Sequence, residues 1–245
     1  MAAIDGIINL FKPPRITSAK ALYRVRGITK VRKSGHAGTL DPAADGVLVL
    51  CLGRATKLVE RIMDQPKVYR ATARLDVTSE SYDSDSVLAV VPVSAPPSRA
   101  DVERALTSFE GEIRQVPPRI SAVKVGGVPA YRRTRDGEAP ELAARPVRVY
   151  WLHIRGYDWP TLDFEMACGR GTYVRALIRD LGAALSTGGC LTSLTRTRVG
   201  PFTAEEAWTF DRLAASRESD AYLIPFDRAM ALLDRRPIAV PPRPG

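Results

Sequence analysis

Residues 35–58 read GHAGTLDPAADGVLVLCLGRATKL, and the rest of the chain is best approached from this stretch. Val47 to Leu52 is an unbroken apolar run with the length and composition of a buried strand. In the loop ahead of it, Gly35 and Gly38 allow a sharp turn or the close approach of another molecule. Pro42 keeps the residue before it out of the helical region, so the backbone of Asp41 is held extended. A carboxylate is thereby presented from a rigid mount. The same spacing also fits a capped turn before a buried strand, with Asp41 bonding local amides, and that plainer arrangement is the commoner one.

Working outward, Gly6 to Lys12 reads as a strand closed by Pro13-Pro14. Ser18 to Lys33 reads as a helix with the apolar stripe Leu22, Val25 and Ile28, weakened at Gly27 by about 1 kcal/mol relative to Ala. A short helix is expected over Thr56 to Met63 and a strand over Lys67 to Val77. Ser98 and Asp101 form a capping-box pair that opens a helix running to Phe109. Val147 to Tyr157 and Leu162 to Cys168 pair as antiparallel strands across Asp158-Trp159-Pro160. Thr172 is expected to cap a helix to about Leu185, with Val174, Ile178, Leu181 and Leu185 facing the core. The fold class is α+β, with a mixed, mostly antiparallel sheet flanked by helices. Residues 235–245 hold four of the 19 prolines and read as a short tail that does not fold.

The chain has 245 residues, 45% of them hydrophobic, and a formal net charge of +9. That is ample material for a large core, and the basic balance points to a polyanionic partner. The charge is concentrated. From Gly6 to Leu40 stand Lys12, Arg15, Lys20, Arg24, Arg26, Lys30, Arg32 and Lys33 with no acid among them. Arg114, Arg119, Lys124, Arg132, Arg133 and Arg135 form a second unopposed block. A third carries Arg170, Arg175, Arg179, Arg196 and Arg198, with Asp180 the one acid near them. A single run of this kind is usually a solvated face; three, interleaved with glycine and aromatics, suit a nucleic acid. Three cysteines and two histidines, without a paired Cys motif, match neither a disulfide framework nor a metal site. The longest apolar run is far below the ~20 residues of a membrane span. A soluble cytoplasmic protein is expected.

The motif at residues 35–58 closely resembles the catalytic motif of the TruB family of tRNA pseudouridine synthases. The resemblance continues through KVYR (67–70), QVPPRISAVK (115–124), Gly127 to Tyr131 and CGRGTYVR (168–175), and spans about Gly6 to Leu213. Arg15 stands where the family usually has Gly, Asp76 replaces a usual Gly, and Ile120 a frequent Tyr. The resemblance implies the pseudouridine synthase catalytic fold over residues 1–234. It implies an isomerase that cuts a uracil from C1′ of its ribose and rejoins it through carbon, without metal or other cofactor. By resemblance Asp41 is the essential carboxylate, Arg175 its charge partner and Tyr69 the residue that stacks on the flipped base. His36 occupies the space the base leaves, and Tyr173 and Leu194 line the uracil pocket. The implied partner is the T-arm of tRNA, modified at position 55 by a monomer. Lys20, Arg24, Lys30, Arg32, Lys33, Arg119, Lys124 and Arg132 are the candidates for contact with the RNA backbone. Bacterial relatives usually continue into a small RNA-binding domain, which this chain is expected to lack.

Two rival classes use the same residues. A non-catalytic RNA binder or tRNA-folding chaperone would employ the basic blocks and aromatics without turnover; Asp41 and Arg175 together argue against it. A hydrolase with Asp41 and Asp45 as paired carboxylates is weaker, because Asp45, just before Gly46, is expected to cap a turn.

Overall fold

The run Val47 to Leu52 is buried on both faces. Val47, Val49 and Cys51 join one core with Ile7, Leu58, Ile62 and Phe202, while Leu48, Leu50 and Leu52 join another with Ile8, Leu10, Leu22 and Val25. A strand covered on two sides has no polar face to alternate with, hence the continuous apolar sequence. The computed structural model describes residues 4–121, 123–138, 141–216, 219–234 and 240–244. Its principal elements are β1 (Gly6–Lys12), α1 (Ser18–Thr29), β2 (Ser34–His36), β3 (Asp45–Leu52), α2 (Val59–Met63), β4 (Lys67–Arg74), α3 (Arg99–Thr107), β5 (Gly111–Gln115), β6 (Arg145–Asp158), β7 (Thr161–Cys168), α4 (Val174–Leu185), β8 (Cys190–Val199), β9 (Ile224–Pro225) and α5 (Phe226–Asp234). The α+β class with a mostly antiparallel sheet is as expected.

The chain divides into two compact units, Met1–Arg70 with Leu194–Pro242, and Ala71–Ser193 with Arg243–Gly245. Strands β4 and β8 contribute residues to each. In the first unit the strand order is β9-β1-β3-β8-β4. β1 runs antiparallel to β3 from Gly6↔Leu52 to Lys12↔Gly46, and β2 adds to β3 through His36↔Leu50. β8 lies parallel to β3 at Thr195↔Asp45 and Arg196↔Gly46. In the second unit β7 pairs with β6 and β6 with β5, all antiparallel. Among the described residues no helix is long and apolar enough to cross a membrane.

Several boundaries differ from expectation for local reasons. Helix α1 stops at Thr29 instead of Lys33 because Lys30 turns left-handed, φ 60°, and its N–H returns to the Arg26 carbonyl. Residues Gly53–Leu58 form a 3-10 turn before α2 begins. The strand expected to reach Val77 ends at Arg74: Leu75 N–H donates instead to the Pro160 carbonyl, and Asp76 folds back onto the Arg74 guanidinium. The capping box of Ser98 and Asp101 is present, but its helix ends at Thr107. Thr172 does not cap α4; the cap position belongs to Tyr173, and the Thr172 hydroxyl donates to the Gly169 carbonyl. In the expected tail, residues 235–239 and 245 lie outside the described residues, and Arg243 pairs with Glu110 at 2.5 Å. Arg15 sits at φ 66°, where a side chain costs roughly 1–2 kcal/mol. Glycine avoids that cost, which accounts for the glycine usual at this place in the resembling family.

Candidate active site

The loop from Ala37 to Ala44 joins β2 to β3 and carries Asp41, half-buried, at its turn. Its backbone is held from three directions within the first unit. From α1, Ser18 donates its hydroxyl to the Leu40 carbonyl (3.0 Å) and accepts from the Leu40 N–H (2.9 Å). From the end of β1, the fully buried ammonium of Lys12 donates to the carbonyls of Pro13 and Ile16 (2.9 Å each) and Pro42 (3.3 Å). Arg15 N–H also reaches the Pro42 carbonyl, at 2.7 Å. From β8, Arg196 donates to the carbonyls of Gly38, Thr39 and Val47. The second residue of β3 is Gly46, φ +102°, where a Cβ would stand 2.3 Å from the Arg196 carbonyl oxygen; only glycine fits.

His36 lies at the end of β2, half-buried, and its Nδ1 has no hydrogen-bond partner among the described residues. Burial, and then the nearby Arg196 charge, lower its pKa from the ordinary 6.5, so the ring is neutral at pH 7. The folded state thus binds fewer protons than the unfolded chain just below pH 6.5. Its effect on stability is nil above the unfolded value and becomes destabilising as the pH falls beneath it. Urea midpoints of wild type and His36→Gln at pH 7.5 and 5.5 should show a smaller acid-side loss in the variant. Equal losses would mean that His36 is solvated.

Tyr69 is buried on β4 and Leu194 half-buried on β8, both in the first unit. Asp45 does not cap a turn. It opens β3, and its Oδ1 is buried with no partner among the described residues, because the parallel bridge to Thr195 occupies the place a turn would have taken.

Tyr173 and Arg175 belong to the second unit. The Tyr173 N–H donates to Gln115 Oε1 (2.8 Å), and Gln115 Nε2 donates back to the Tyr173 carbonyl (3.1 Å). One buried side-chain amide thereby satisfies both backbone groups at the head of α4. Arg175, 3% exposed, donates to the carbonyls of Ser81 (2.9 Å) and Ile120 (3.0 Å) and lies 3.4 Å from the Asp83 carboxylate. Asp83 also accepts from the Ser81 hydroxyl at 2.5 Å and the Asp85 N–H at 3.1 Å. Sequence reasoning missed Gln115, Asp83 and Arg196. Gln115 was visible as the first residue of QVPPRISAVK, whereas Asp83 sits in an acidic stretch with the look of a solvated face.

The basic candidates are mostly solvent-facing. Lys20, Arg24, Lys30, Arg32, Lys33, Arg119 and Arg132 are exposed, and the Lys124 side chain lies outside what the structure describes. Arg24 stacks on Phe210 at 4.2 Å and lies 3.7 Å from Asp211. Arg119 borders a cavity of about 670 Å³ shared with Tyr82, Val116 and Arg179. Lys12, Arg175 and Arg196 are buried and occupied with structural carbonyls, so the basic blocks are not uniformly a surface for phosphate.

Residues 26–174 match the model of the TruB family pseudouridylate synthase N-terminal domain, and residues 175–231 that of the tRNA pseudouridylate synthase B C-terminal domain. A segment that the family assigns to its C-terminal domain therefore lies inside this chain. Relatives called tRNA pseudouridine synthase B include one from Cereibacter sphaeroides, 43% identical over 96% of this chain and 79% of its own length. Another, from Thermobifida fusca, is 45% identical over 86% of this chain and 75% of its own. Among solved structures, a Cbf5-Nop10-Gar1 complex superimposes with a TM-score of 0.65 at 31% identity, over 83% of this chain; the match spans about half, 52%, of that protein's chain. With the N-terminal and C-terminal models together accounting for residues 26–231, the chain belongs to the TruB family of pseudouridine synthases.

Proposed function

We propose that the protein converts uridine in tRNA, at position 55 of the T-loop, to pseudouridine, with Asp41 as its catalytic carboxylate. The observation that carries this reading is the family match over a motif whose Asp41 stands on a loop tied by hydrogen bonds before and after it. In the reaction the N1–C1′ bond breaks and a C5–C1′ bond forms; N1 gains a proton and C5 loses one, so uridine and product are isomers. The uridine must leave its stack to be reached, and Tyr69 and His36 are the residues for the base and for the space it vacates. Sequencing after pseudouridine-specific chemical modification tests the assignment. A deletion strain should lose the mark at position 55 and the purified protein should restore it on a transcript; a retained mark together with no activity in vitro would sink it.

Tyr69→Ala should weaken capture of the flipped base by roughly 1–3 kcal/mol, read as a fall in kcat/KM with the protein still folded. An unchanged kcat/KM would make Tyr69 a core residue only. The exposed cations of α1 and the turn after it act as phosphate contacts, each contributing about −0.9 to the slope of log K against log salt in duplex regions. Replacing Arg24, Lys30 and Arg32 by Gln should flatten that slope and raise KM with little change in kcat. An unchanged slope would place the RNA elsewhere.

A further inference from the structure

We propose that Arg196 and Ser18 are positioning residues that clamp the backbone on both sides of Asp41 and thereby set the rate of the chemical step. The inference rests on the reading of Asp41 as the catalytic carboxylate. Arg196 is 2% exposed, and among the described residues it pairs with no carboxylate. Its guanidinium instead gives Nη2 to Gly38 O (3.1 Å), Nη1 to Thr39 O (3.2 Å) and Nε to Val47 O (2.8 Å). Two of these acceptors precede Asp41 and one follows it, so one planar, rigid group fixes the entry and the exit of the loop together. Ser18 meets both polar groups of Leu40 from the helix side.

A buried cation without a counter-charge is costly, and an apolar residue would fill the same volume more cheaply. What the guanidinium adds is geometry. Its own strand is registered to the strand that leaves the loop as well, since Arg196 pairs with Gly46 of β3 at a contact too close for any Cβ. Leu194, two positions earlier on the same strand, shares its face, so β8 carries a proposed pocket residue and the clamp in one rigid element. A displacement of the reacting carboxylate by about 1 Å is enough to cost on the order of 100-fold in rate.

The test is single-turnover release of tritium from C5-labelled uridine in a tRNA transcript, with enzyme in excess and RNA affinity measured separately. Arg196→Lys keeps the charge but loses the fork and should lower the rate constant about 100-fold, and Ser18→Ala about tenfold. RNA Kd should stay within about threefold and the reaction amplitude near complete, because the groups act on the chemical step and not on binding. A merely structural role reduces the fraction of active molecules, so a wild-type rate constant with reduced amplitude overturns the proposal. If Arg196→Lys does not fold, Ser18→Ala, which removes one hydroxyl from a helix, decides it by the same criterion. Asp41→Asn is run alongside: wild-type turnover there would overturn the reading of Asp41 itself, whereas an inactive Asp41→Asn beside a full-speed Ser18→Ala and Arg196→Lys would overturn the clamp alone.

Discussion

Asp41→Asn should abolish turnover, with a rate at least ~10⁴-fold below wild type, while binding tRNA with nearly unchanged affinity. The substitution keeps the size, turns one acceptor oxygen into an NH2 donor and removes the negative charge, and a group that acts in the transition state contributes to kcat and not to the ground-state complex. The scaffold gives a reason to expect a clean result. Leu40 and Pro42 are tied through their backbones to Ser18, Lys12 and Arg15, so the loop keeps these anchors when the Asp41 charge is removed. Single-turnover tritium release and filter binding on the same preparations provide the measurement; residual wild-type activity in sequence-verified Asp41→Asn removes Asp41 from the mechanism.

What could be read from residues alone depended on how local its cause was. Strands β1 and β3, the capping box at Ser98 and the hairpin of β6 and β7 were legible because period, turn residues and caps act within a few positions. The end of α1 was not, because a single left-handed residue, Lys30, stops it, and nothing in the type of that residue announces the turn. The same contrast holds at the site. Asp41, His36 and Arg175 stood out through their motifs. Arg196 looked like one more member of a basic block, and its burial against three carbonyls is a consequence of the parallel pairing of β8 with β3, which joins residues some 150 positions apart. Asp45 was misjudged for the same reason: its neighbours are set by that pairing and not by the adjacent Gly46. Asp83 was hidden in a run of acids, and only the fold shows which of them faces a buried guanidinium.

Arg175→Met should be the most destabilising single change among the candidate site residues, by about 3–5 kcal/mol, because it strands a buried carboxylate without its counter-charge. The Arg175 and Asp83 side chains are only 4% and 10% exposed, so water cannot replace the lost partner cheaply. The carbonyls of Ser81 and Ile120 lose their donor in the same step. Urea denaturation should show the midpoint falling with little change in slope. Adding Asp83→Asn to Arg175→Met removes the stranded charge, so the double variant should recover part of the loss, and the two effects should be far from additive. On the family resemblance we propose a second role for Arg175, as the charge partner of Asp41, which stability alone cannot report. Turnover separates the two. If Arg175 serves only Asp83, the double variant regains activity as it regains stability; if it also directs Asp41, the refolded double variant stays slow with normal tRNA affinity. A loss of stability below about 1 kcal/mol in Arg175→Met, the level of an exposed ion pair, would contradict the burial on which both roles depend.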